Sequence, residues 1–352
     1  MNPGIIEMPL SHPMIERLDA LEHMVGDTPL IAIEYMWRNE PRTIYVKCEH
    51  LNFTGSIKDR IALNILREAY AAGKLQEGDT IAEATSGNTG VAFAALGRAL
   101  GHPVAIFMPD WMSQERVKLI QSFGAEITPV TRAQGGFLGS IDYCEKLAES
   151  RSDVFLPRQF SNEANCRAHH QGTGPEILKQ LQSLGLEPDA FVAGVGTGGT
   201  VMGTGSYLKE LVPSAKVYAV EPAESPTLST GHKIGSHRIQ GISDDFVPAV
   251  MDFSLIDGIL GISDGDSIMM AQRLASELGL GVGISSGCNF LAAVAVQNQL
   301  GSGAVVTTVF CDDNKKYLST GLLREEMVLD RYMSPNVQFH SIRSFKRASQ
   351  FF

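Results

Sequence analysis

Short apolar runs alternating with longer stretches of helical period constrain this chain more than any other feature. The runs fall at residues 43–46, 80–84, 104–108, 125–130, 191–193, 216–220 and 304–310. Between them the spacing changes to three and four. Over residues 58–73, Ile61, Ile65, Leu66, Ala69 and Tyr70 share one face, and Gly73 supplies a C-terminal stop. Strands that alternate with helices in this way predict an α/β fold built on a parallel sheet. With 352 residues, 44% of them hydrophobic, the chain can bury one large or two moderate cores, and two lobes are expected. No fixed-period repeat, low-complexity stretch or Pro/Ser-rich linker strings them apart. The pattern is interrupted at LPRQFSNEANC, residues 156–166, which suggests a small lobe, residues 50–162, inserted into a larger one made of residues 1–49 and 163–330. Residues 331–352 read as a C-terminal tail without a strong period, gathering Arg343, Lys346 and Arg347, and are expected to dock or fray rather than to bind a partner.

The 39 acidic against 29 basic side chains give a net charge of -10, which argues against a nucleic-acid surface and for a small-molecule partner. Cys48, Cys144, Cys166, Cys288 and Cys311 are odd in number, widely spread and never arranged as C-x-x-C, so they read as reduced thiols. The start MNPGIIEMPLSHPMIERLD lacks the charged and apolar regions of a signal peptide, and no stretch approaches the roughly 18 to 20 apolar residues of a membrane span. A cytoplasmic location away from membranes is expected. His169 and His170 stand without further metal-type ligands, and no metal is expected.

Four segments carry chemistry. FVAGVGTGGTVMG follows an apolar strand, and its glycines at 194, 196, 198 and 199 let backbone N–H groups approach an anion at a helix start. Gly194, Gly196 and Gly199 also fit G-x-G-x-x-G, with Glu221 at the end of a later strand, so this motif alone leaves a nicotinamide-binding oxidoreductase and a plain glycine-rich turn open. KCEHLNFTGSIKDR places Lys58 at a loop-to-helix junction. A lone lysine is ordinarily a solvated charge, but one desolvated against a cofactor becomes nucleophilic and can form a Schiff base. TSGNTG, Thr85 to Gly90, sets hydroxyls, an amide and glycines at a helix N-terminus, as a carboxylate clamp or as a simple cap. GVGISSGCNF puts Ser285 and Ser286 ahead of another helix. The conjunction of the four is more specific than any one of them.

With SIKDR, EATSGNTG, MPDWMSQER, QFSNEAN, TGPEI, GVGTGGT, IQGI, GISSG and YLST in order, the chain resembles the cysteine synthase and cystathionine β-synthase family of fold-type II pyridoxal phosphate enzymes. The resemblance runs from VGDTPL at Val25 to Thr320. It implies two lobes with mostly parallel sheets flanked by helices, pyridoxal 5'-phosphate as cofactor, small amino-acid substrates and a homodimer. It makes Lys58 the internal aldimine lysine and the catalytic acid and base, and Asn88 the side chain that bonds the cofactor's phenolic oxygen. Gly196, Thr197, Gly198, Gly199 and Thr200 would wrap the phosphate, and Ser285 would face the pyridine nitrogen. Thr85, Ser86, Thr89 and Gln159 would hold the substrate carboxylate. The dinucleotide reading leaves Lys58 and TSGNTG without roles. The implied reaction is β-replacement on a serine-derived amino acid through an aminoacrylate, with cysteine synthesis from O-acetylserine or O-phosphoserine and a sulfur nucleophile as the leading reading. A neutral serine at the pyridine nitrogen suits departure of a β-substituent better than a long-lived carbanion.

The chain departs from O-acetylserine sulfhydrylases at RIQGISDDFVP, where Asp244 and Asp245 stand in place of small or apolar residues. Either these are solvated loop carboxylates or one faces the site and meets a cationic group. The second case favours joining two amino acids, as in lanthionine, cystathionine or diaminopropionate synthesis, or release of sulfide from cysteine. A serine/threonine dehydratase and a catalytically idle regulatory relative also stay open at this point. Some relatives bind a serine acetyltransferase tail, on which this sequence is silent. Cys311 could touch the ring edge or be a buried strand-end thiol.

Overall fold

Each of these apolar runs falls on a strand of one of two sheets in the computed structural model, which describes residues 12–345. The strands are β1 (Leu30–Trp37), β2 (Glu40–Lys47), β3 (Thr80–Ala84), β4 (Val104–Pro109), β5 (Glu126–Val130), β6 (Val154–Phe155), β7 (Ala190–Gly194), β8 (Lys216–Pro222), β9 (Gly258–Ile262), β10 (Val306–Val309) and β11 (Val337–Phe345). The helices are α1 (His12–Glu22), α2 (Lys58–Ala71), α3 (Asn88–Leu100), α4 (Gln114–Ser122), α5 (Gly136–Ser150), α6 (Ala164–Ala168), α7 (Gly174–Gln182), α8 (Gly199–Leu211), α9 (Thr227–Thr230), α10 (Asp264–Leu278) and α11 (Ile284–Leu300). A π-helical turn, His169–Thr173, joins α6 to α7.

The larger sheet runs β11-β1-β2-β10-β7-β8-β9 and the smaller β5-β4-β3-β6. The smaller sheet is parallel throughout, and in the larger one only the β1 pairings with β2 and β11 are antiparallel. Strands covered on both faces read as unbroken apolar runs, which is why β3 and β10, buried at every position, stand out in the sequence. The β1–β2 hairpin was not foreseen. Its two-residue turn is Arg38 and Asn39, both left-handed at φ 49° and 70°, and arginine is an unusual choice for that conformation.

One expectation is made specific and one is corrected. The tail docks: its residues 337–345 form β11, which pairs with β1, and Arg343 forms an ion pair with Glu34 at 2.7 Å. Half of its side chains face solvent, so apolar periodicity was too weak to reveal it. Lys346 and Arg347 lie outside the described residues. Helix α1 does not belong with the larger lobe, because Met14, Leu18 and Leu21 join Ile61 and Leu66 of α2, Phe93 of α3 and Ile106 of β4 in the smaller lobe's core. Ala164 and Ala168 of α6 join the same core, past the expected boundary at residue 162.

The larger lobe is centred on α11, whose residues from Ile284 to Val294 are all buried, as an almost uniformly apolar helix requires. Both β3 and β7 end at glycine-containing turns that open helices α3 and α8. The crevice beyond the C-terminal ends of these parallel strands is where such folds bind ligands.

Candidate active site

Lys58 is the first residue of α2 and lines the cavity between the lobes. The turn before it is tightly held. Ile57 N–H donates to the Cys311 carbonyl at 2.8 Å, and Thr54 donates through its N–H and hydroxyl to the Asp59 carboxylate at 2.7 and 2.5 Å. Burial pushes the Asp59 carboxyl up to about 6.

The smaller lobe contributes the turn between β3 and α3. Gly87 has φ 154°, and a Cβ there would overlap Arg116 Cδ, so no other residue fits. Thr85 Oγ1 accepts from Gly87 N–H at 3.0 Å, Thr89 donates to Gln159 Oε1 at 2.6 Å, and Gln159 Nε2 donates to the Ala84 carbonyl at 2.8 Å. Thr85, Ser86, Thr89 and Gln159 all line the cavity. Asn88 donates to Asp312 Oδ2 at 2.7 Å, and the Tyr317 hydroxyl donates to the same oxygen at 2.5 Å. Asn88 Oδ1 is buried without a partner.

The larger lobe contributes the turn from β7 to α8. A Cβ on Gly196 would overlap the Gly241 carbonyl oxygen, one on Gly199 would overlap Asn165 Oδ1, and Gly198 is left-handed at φ 87°. The backbone therefore passes through a slot that only glycine permits, and the N-terminus of α8, without a side-chain cap, borders the crevice, where free N–H groups and the helix dipole favour an anion. Asn165 Nδ2 donates to Thr197 Oγ1 and to the Gln159 carbonyl, both at 2.9 Å, tying cradle to clamp, while its Oδ1 is buried without a partner. Thr200 Oγ1 lies 3.3 Å from His169 Nε2, whose ring is kept neutral by burial, with the imidazole pushed down to about 3.

Ser285, in the first turn of α11, is buried and lines the cavity with Cys311. Burial pushes the Cys311 thiol up to about 12, and Asn289 Nδ2 sits 3.5 Å from its sulfur. Of the two loop aspartates, Asp244 lines the inner cavity and is the single carboxylate among its lining residues. Burial, then the neighbouring Asp245, raise its carboxyl to about 6, against the pull of Lys58 and Lys233. Asp245 instead ion-pairs with Lys233 in an outer vestibule of about 820 Å³ that opens onto the cavity past Ser86 and Gln240.

The structure thus gathers the residues singled out in the sequence around one cavity, with Gly199 packed just behind its wall and Asp245 outside it. Glu221 does not face the crevice as a dinucleotide fold would need. Its carboxylate caps α9, accepting from Leu228 N–H at 2.7 Å and from Ser229. Sequence reasoning missed Arg116 and Gln240. Arg116 ends the quoted MPDWMSQER motif, but nothing in its local spacing says that the side chain reaches the site. Among the described residues no group of three or more His, Cys, Asp or Glu could hold a metal, and no helix is long and apolar enough to cross a membrane.

Comparison with known proteins agrees with this geometry. The profile of the family described as pyridoxal-phosphate dependent enzyme matches residues 21–312. A probable cysteine synthase from Bacillus subtilis is 41% identical over 299 residues, covering 85% of this chain and 96% of that protein. The crystal structure of a hydrogen sulfide-producing enzyme from Fusobacterium nucleatum superimposes with a TM-score of 0.92 at 51% identity, covering 95% of this chain and 99% of that one. The same enzyme is known as an aspartate-to-asparagine variant holding an α-aminoacrylate intermediate. An O-acetylserine dependent cystathionine β-synthase from Helicobacter pylori has a TM-score of 0.78 at 36% identity, covering 86% and 98%. The fold, the site and these relatives place the chain in the pyridoxal-phosphate dependent enzyme family, among the proteins related to cysteine synthase.

Proposed function

We propose that this enzyme replaces the β-substituent of a serine-derived amino acid, with cysteine synthesis from O-acetylserine or O-phosphoserine and a sulfur nucleophile as its leading activity. The observation that carries the reading is the convergence of Lys58, the Thr85–Thr89 clamp, the Gly196–Thr200 cradle and Ser285 on one cavity. The residues fit pyridoxal phosphate: the cradle is a glycine slot at a helix N-terminus, and Asn88 keeps a buried, unused oxygen and a second N–H at the cavity. When bound, the cofactor supplies the electron sink that lets an amino acid lose its α-proton and β-substituent. The Gly196–Thr200 N–H groups and hydroxyls hold its phosphate, and Ser285 offers a neutral hydroxyl rather than a charge to its ring nitrogen. Thr85, Ser86, Thr89 and Gln159 orient the substrate carboxylate, and the Lys58 amine takes the α-proton and later returns one. The five free thiols suit a cytoplasmic site of action.

A second reading, sulfide release from cysteine followed by addition of water or a second amino acid, is favoured by Asp244. A carboxylate held near 6 inside the cavity can take a proton from an incoming nucleophile or meet its ammonium group. The Fusobacterium relative that resembles this chain so closely is described as hydrogen sulfide-producing. Visible spectra of the holoenzyme with O-acetylserine, O-phosphoserine, serine and cysteine in separate cuvettes test both readings. The donor that shifts the cofactor band identifies the leaving group, and a protein that stays colourless with added pyridoxal phosphate refutes both. If Asp244 acts as a base, turnover rises with pH through about 6 and levels off, and Asp244→Asn removes that limb. An unchanged profile removes Asp244 from the mechanism.

A further inference from the structure

We infer that Arg116, to which no role has been given above, recognises the α-carboxylate of the amino-acid substrate and couples that recognition to the meeting of the two lobes. This deepens the proposed function and rests on it.

Arg116 leaves α4 of the smaller lobe and is 1% exposed, yet it lines the cavity. Its guanidinium lies 4.5 Å from the Tyr317 ring and donates through Nη1 to Gln240, both on the larger lobe. Nε is buried and has no hydrogen-bond partner, and no carboxylate among the described residues is within ion-pairing distance of the guanidinium. A buried cation whose direct contacts are a neutral amide and an aromatic face is costly unless an anion arrives to share the site. The anion the proposed reaction brings is a carboxylate, and the place is fitting. A Cβ on Gly87 would overlap the Arg116 stem and come within 3.2 Å of Cζ, so the guanidinium sits against the very turn that forms the clamp. The planar fork of arginine suits a carboxylate better than a lysine ammonium would. Gln240, on the same loop as Asp244, holds the guanidinium until substrate competes for it.

The test compares L-serine with L-serinamide, which lacks the charge, as ligands of holoenzyme carrying Arg116→Gln, Arg116→Met or Arg116→Lys. Dissociation constants are read from the cofactor's visible band. The two uncharged variants should keep the band and weaken serine binding about 30-fold while leaving serinamide unchanged, the loss expected for one charge-assisted hydrogen bond. R116K, a charge without the fork, should fall between. Equal weakening of both ligands, or an undiminished preference for serine, overturns the inference. If the uncharged variants do not fold, an undiminished preference in R116K has the same force. Should the wild-type band respond to no amino acid, the proposed function itself fails; a response with unchanged preference sinks only the role of Arg116.

Discussion

The two turns that build the site solve different problems. The cradle of the larger lobe, Gly196 to Thr200, is shaped by atoms that leave no room: a carbonyl oxygen, an amide oxygen and a left-handed glycine define its path. The clamp of the smaller lobe, Thr85 to Thr89, is shaped by what its side chains hold, through the hydroxyls of Thr85 and Thr89 and the amide of Gln159. Backbone recognition tolerates almost no change, whereas side-chain recognition should fail in degrees. Lys58 stands between them, on a turn braced by both the Cys311 carbonyl and Asp59.

The largest effect should come from Lys58→Ala, which ought to lower turnover by about a thousandfold or more while leaving cofactor in the cradle. Retained turnover in stopped assays with each donor would remove the lysine from its central place. Next, Gly199→Ala should cut cofactor affinity by about a hundredfold, measured as pyridoxal phosphate remaining after dialysis, because the added methyl occupies the Asn165 oxygen. If it binds normally, the cradle is softer than its packing suggests and the contrast with the clamp collapses. Thr89→Val should be milder, raising the Michaelis constant for the donor about tenfold through one lost hydrogen bond, with cofactor affinity unchanged.

The smallest effect concerns stability. Glu83 lies beneath the clamp, accepting from the Ala84 and Gln159 N–H groups, and burial pushes its carboxyl up to about 8. The folded state therefore holds a proton that the unfolded chain has released. Stability from this group falls as pH rises from the ordinary glutamate range through about 8, and is level above it. Thermal melts across that window should slope downward by a few degrees, and Glu83→Gln should flatten the slope. An identical slope in the variant would assign it elsewhere.

What the sequence disclosed follows from how each part works. Glycine slots and hydroxyl turns are local in the chain, so FVAGVGTGGTVMG and TSGNTG could be read without coordinates, as could strands buried on both faces. Lys58 became legible only in company, since a single lysine carries no signal. Arg116 was hidden because its role depends on a contact more than a hundred residues away, to Gln240. Strand β11 was hidden for a different reason: its hydrogen bonds, not its side chains, place it in the sheet. Glu221 shows the converse error, in which a spacing suggestive of a ribose ligand belongs to an ordinary helix cap.

The path of α1 has one more consequence. The chain begins its described course against the smaller lobe, passes through β1 and β2 of the larger, and returns at α2. A shortened chain starting at Val25, where the recognisable motifs begin, would keep every residue of the site and still bare the faces of α2 and α3 that Met14, Leu18 and Leu21 cover. Such a fragment should look complete by alignment and behave as a sticky, aggregation-prone protein in solution.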